Sequence, residues 1–112
     1  MTMIKVTLLG SKLFPRFNEM AYRLEAEGLE VAVSQYAQFG PQVWVEYDGL
    51  FGKKEITYGV MLDTESGVTS SAQFIEPPAF DRHPPTHHDI VRWFSKYLKE
   101  DGYRMQEFAD DF

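Results

Sequence analysis

The chain's three histidines all fall within nine residues, Asp81-Arg82-His83-Pro84-Pro85-Thr86-His87-His88-Asp89. Imidazole and carboxylate together suit zinc or another divalent first-row ion. The ligands such a site would use are His83, His87 and Asp81, with His83 and His87 meeting across the prolines. The spacing gives limited support. His83 and His87 are four residues apart, but Pro84-Pro85 stand between them, so they are not the i, i+4 pair of one helix that a helical zinc site uses. His87 and His88 are neighbours, about 100° apart around a helix, and so diverge. A second reading needs no ion. Thr86 stands three residues before Asp89, as in a capping box with Asp in place of Glu. The histidines then fill a first helical turn, where the helix dipole opposes a cationic imidazole. The spacing favours this reading; partner contact and pH sensing are further uses of the same residues.

Other chemistry has less to stand on. Glu46 and Asp48 would sit about 7 Å apart on one strand face, a separation that glycoside hydrolysis uses, yet any polar strand face supplies such a pair. Ser66, Ser70, Ser71 and Ser95 have no Gly-x-Ser-x-Gly context. Gly49-Leu50-Phe51-Gly52-Lys53-Lys54 lacks Walker spacing and reads as a hairpin loop. Cysteine is absent, which removes disulfides, thiolate metal sites and cysteine nucleophiles.

The elements that would position these residues follow from periodicity. Met3–Leu9 alternates as a strand, with Ile4, Val6 and Leu8 on one side. Phe17, Met20, Ala21 and Leu24 recur at helical spacing, between Pro15 in the first turn and Gly28 as C-terminal cap. Strands are expected at about Leu29–Tyr36, Gln42–Asp48 and Glu55–Asp63, joined by short links into an antiparallel meander. A further strand is expected at about Val68–Ile75, closed by Pro77-Pro78. A helix over His87–Glu100 carries Ile90, Trp93, Phe94, Tyr97 and Leu98 on one stripe and stops at Asp101-Gly102. Tyr103–Phe108 fits either a strand or a helix.

These readings define an α+β fold: a mostly antiparallel sheet of four to five strands with two helices packed on one face, in the order β-α-β-β-β-(β)-α. The 112 residues suit a single compact domain with an acidic tail from about residue 101 to 112. Hydrophobic residues make up 44%, enough for a core. Net charge is −6, and its distribution is uneven. Residues 1–56 carry six basic and seven acidic side chains; residues 57–112 carry five and ten. Such a surface repels phosphate backbones and attracts a basic partner.

If both helices cover the valine face, the other sheet face presents Tyr36, Trp44 and Met61 among polar residues. Aromatics and methionine are typical of interface centres. Leu50 and Phe51 form a second apolar patch at the hairpin tip, either projecting as a finger with a basic rim or folded back onto the sheet end. Asp110 and Asp111, near the end of the acidic tail, complete the candidate partner-binding residues.

The expectation is therefore a non-enzymatic protein-binding module with a basic protein partner. An inhibitor or immunity-type antagonist of a nucleic-acid-handling protein, phage-encoded or toxin-neutralising, would have this character; a homodimer through the same face is a variant. Two alternatives are a small metal-dependent, zinc-binding enzyme using His83, His87 and Asp81, and a single-stranded nucleic-acid binder stacking bases on Tyr36 and Trp44, which Glu46, Asp48 and Glu55 on the same face disfavour. Met1–Leu9 is too short and too poor in small residues for a secretion signal, and no run is long enough to cross a membrane. A cytoplasmic location is expected, in the host cell if the protein is viral.

Overall fold

The computed structural model describes residues 4–36, 38–62 and 80–108. Their elements run β1 (Ile4–Leu9), α1 (Arg16–Ala26), β2 (Glu30–Ser34), β3 (Gln42–Gly49), β4 (Gly52–Leu62), α2 (His87–Glu100) and β5 (Tyr103–Glu107). The architecture is α+β: one five-stranded, mostly antiparallel sheet in the order β2-β1-β3-β4-β5, with two helices. The strand expected at Val68–Ile75 lies outside the described residues, as do Asp110 and Asp111. Among the described residues, no helix is long and apolar enough to cross a membrane.

The helix ends form as their residues dictate. Gly28 takes φ +87°, and the Gly28 and Leu29 N–H groups donate to Glu25 O and Leu24 O, closing α1 with a Schellman-type turn. At α2 the box is complete: Asp89 N–H donates to Thr86 Oγ1 and Thr86 N–H donates to Asp89 Oδ2.

Strand pairing departs from the expected meander. β2 does not pair with β3; β1 lies between them, parallel to β2 and antiparallel to β3. A short link favours but does not force adjacency, and the link between Ser34 and Gln42 is long enough to step across one strand. The crossover through α1 supplies the connection that a parallel pair needs. The antiparallel meander is instead β3-β4-β5. Its last strand takes up the first part of what reads as an acidic tail.

This order puts the most apolar strand in the interior of the sheet. Val6 stands opposite Val31 on one side and Val45 on the other; Leu8 stands between Val33 and Val43. Phe17, Met20 and Leu24 of α1 and Ile90, Phe94 and Leu98 of α2 pack with these strand residues into one buried cluster. Both helices therefore cover the same sheet face. Their ends are tied by an ion pair, Arg16 Nε to Asp101 Oδ2 at 2.7 Å. Phe14 is packed edge-on against both Phe17 and Tyr103, with ring centroids 4.9 Å apart in each case.

Candidate partner-binding surfaces

The histidine segment is organised around Asp89. This buried carboxylate accepts from the Thr86 N–H at 2.9 Å and pairs with Arg82 Nε at 3.2 Å and with Arg92 Nη2. The Thr86 backbone hydrogen bond is the main cause that lowers its pKa to about 2, against the cost of burial; the Thr86 hydroxyl, Arg92 and Arg82 add to the lowering. A carboxylate so engaged has little capacity left for a ligand. The His87 ring lies flat on Tyr47, centroids 3.7 Å apart and planes 10° apart. The His88 ring sits 4.0 Å from it. The expected divergence of these two side chains is thus corrected: their Cβ atoms diverge around the helix, but the rings fold together beside Tyr47. Burial, and secondarily His88, lowers the His87 pKa.

Asp81, His83 and His87 do not form a metal-ligating group; among the described residues no three candidate ligands come together. The fold explains why. Asp81 lines a shallow pocket with Phe80, Trp93 and Lys96, whereas His87 lines a different one with Tyr47 and the base of the β3–β4 hairpin. His83 is exposed on the loop between them.

The opposite sheet face follows the expected phase. Trp44 stands across from Thr7 and Thr57, and Glu46 across from Lys5 and Glu55. No described helix covers this face. At one end, the ends of β1 and β2 and the loop into β3 frame an open cavity of about 280 Å³. Tyr36, Phe39 and Trp44 line it, together with Leu9, Gln38 and Gln42. Tyr36 is 74% exposed and Phe39 83%. Local bonds hold its walls. The Gly10 and Ser11 N–H groups donate to Ser34 O, the Tyr36 N–H donates to Ser34 Oγ, and the Val60 N–H donates to Pro41 O. Trp44 Nε1 donates to Gln42 Oε1 at 2.8 Å.

Met61 shares the face but does not line this cavity; it stands across from Arg104. Two residues of this face were not singled out by sequence. Phe39 reads there only as part of a Phe-Gly-Pro turn. Phe108 lies over Gly59, where an added Cβ would meet the ring at 2.9 Å. An aromatic beside a turn, and a glycine inside a strand, are the signals that could have pointed to them.

The hairpin tip projects. Leu50 is 95% exposed and Phe51 98%, so the folded-back arrangement does not occur. Gly49 pairs with Gly52, whose φ of +124° suits the turn only without a side chain. Behind the tip, Lys53 reaches Glu46 at 3.6 Å in a largely exposed pair, worth little on its own.

Comparisons of this chain with protein-family models, with curated proteins and with solved structures find no match.

Proposed function

We propose that the chain is a non-enzymatic protein-binding module that engages a basic partner through the open sheet face and the Leu50-Phe51 tip. The observation that carries this reading is apolar exposure in groups: Tyr36 and Phe39 beside Trp44, and Leu50 with Phe51 at the tip. Single exposed apolar residues are ordinary; contiguous ones mark interaction sites. Charge adds direction. Glu46 and Glu55 face each other on the open face, with Glu30 across Lys5 from Glu46. With a net charge of −6, this speeds encounter with a basic protein, while desolvated aromatics slow its release.

The finer form of the reading is an antagonist: a small cytoplasmic protein that inhibits a nucleic-acid-handling partner by occupying its surface, as a phage or immunity protein would. Self-association through the same face is its variant. The test is capture from source lysate with the untagged protein, alongside Trp44→Ala and Phe51→Ala. A captured basic protein that one or both variants lose supports the reading. Identical capture by all three proteins overturns it. Sedimentation across a concentration series identifies self-association by a doubled mass that Trp44→Ala abolishes.

A further inference from the structure

Resting on that reading, we propose that the cavity at the carboxyl ends of β1 and β2 seats an arginine side chain of the protein partner. Three aromatic residues, Tyr36, Phe39 and Trp44, line one concavity, and no charged side chain lines it with them. Their ring faces carry negative quadrupole potential, so a cation is the polar group such a lining accepts best. The polar groups present are carboxamides and a hydroxyl: Gln38, Gln42 and Ser34. Their oxygens accept hydrogen bonds. Gln42 Oε1 already takes one from Trp44 Nε1, which fixes its direction and leaves a second lone pair.

This lining discriminates between cations. A lysine ammonium is a strongly hydrated point charge, and the cavity offers no carboxylate to replace that water. A guanidinium is planar and weakly hydrated; it stacks on rings while its edge donates to carbonyl oxygens. Beyond the rim, Glu46 lies two residues from Trp44 on the same face and stands across from Glu55. With Lys5 across from Glu46 and Lys53 paired to it, this flank is mixed in charge, and the net charge of −6 supplies the general attraction for a basic surface. The backbone frame is set where the Gly10 and Ser11 N–H groups bond Ser34 O and the Val60 N–H bonds Pro41 O, while the exposed Tyr36 and Phe39 rings close on the guest. The ordering cost of binding then falls on these two side chains rather than on the backbone.

The experiment titrates the protein with N-acetyl-arginine methylamide, its lysine counterpart and its neutral citrulline counterpart, following the two tryptophan indole N–H signals by NMR. Trp93, buried in the core, serves as internal reference. The expected result is a saturable shift at Trp44 alone, with citrulline weaker by about two- to fivefold, the range of an exposed cation–π contact. Lysine is expected to be weaker than arginine. Trp44→Leu is read by the peptide signals of Gln42 and Gly40 and should lose the shift. Phe39→Leu and Tyr36→Leu, at exposed positions that folding does not need, should each weaken it.

Citrulline binding as tightly as arginine, lysine binding as tightly as arginine, no saturable shift, or equal shifts at Trp93 would each overturn the proposal. Its failure is distinct from failure of the module reading. Capture that depends on Phe51 with no arginine binding leaves the module standing; arginine binding with capture indifferent to both surfaces leaves only the cavity.

Discussion

The start of α2 and the open sheet face are both rich in residues that could do chemistry, and they differ in what those residues already touch. Around Asp89, polar groups meet one another: the Thr86 N–H and two arginines converge on one buried carboxylate, and the Thr86 hydroxyl accepts from the Asp89 N–H. His87 is likewise occupied by Tyr47. On the open face and the hairpin tip, apolar groups meet water. The comparison teaches that a cluster of reactive residue types is a poor guide to a site when the cluster satisfies itself. Unfilled interactions are the better guide, here the rings of Tyr36 and Phe39 and the tip at Leu50-Phe51.

Substitutions can break or sharpen this contrast. The largest effect is expected from Phe94→Ala in the core, where an aromatic truncation costs about 3–5 kcal/mol; chemical denaturation measures it. A loss under 1 kcal/mol would mean that the helices do not share the buried cluster described.

Next comes the α2 cap. Thr86→Ala removes the hydroxyl that accepts from Asp89 N–H and should cost about 1 kcal/mol, lowering Tm by about 4–8 °C. A neutral result would remove the capping account of the histidine segment. Gly59→Ala tests the other region at a smaller scale. The new Cβ meets the tip of the half-exposed Phe108 ring, which can turn aside, so the cost should stay below about 1 kcal/mol. In a Phe108→Ala background that cost should vanish, as a double-mutant cycle would show.

Acid titration gives smaller, signed effects. His87 has a lowered pKa in the fold, so the unfolded chain binds its proton more readily. Stability should fall as pH drops below about 6.5 toward the lowered folded value, and His87→Gln should flatten that window. Asp89, at about 2 against an ordinary value of 3.8, contributes stability that is present above 3.8 and lost as pH falls toward 2. Asp101 acts in the opposite sense. Burial raises its pKa despite Arg16, so protonation favours the fold, and acidification through the raised value restores stability. Asp101→Asn should therefore steepen the acid-side loss.

The smallest stability effect is expected at the tip. Leu50→Ala and Phe51→Ala should change unfolding free energy by less than about 0.5 kcal/mol, while Phe51→Ala weakens partner capture. A destabilisation above 1 kcal/mol would place the tip against the sheet.

Local elements were legible because local residues set them. Thr86 with Asp89, the preceding prolines and the Asp101-Gly102 stop delimit α2 as the structure has it. Strand alternation correctly separated Val43 and Val45 from Trp44 and Glu46. Pairing was not legible. β1 and β3 are both amphipathic strands, and which of them flanks β2 depends on how α1 crosses the sheet. The cavity was missed for the same reason. Phe39 belongs to a turn in sequence and becomes a cavity wall only when that turn is pinned to β4 beside Trp44.

The sequence by itself determined the α+β class, both helices, the phase of β1 to β4 and the cap at Thr86. Each follows from spacing, proline and glycine geometry, and side-chain reach over a few residues. Tertiary structure alone decided strand order, the partners of Asp89 and His87, and the exposure of Leu50 and Phe51. These depend on contacts between residues far apart in the chain, where burial and closure entropy outweigh any local preference.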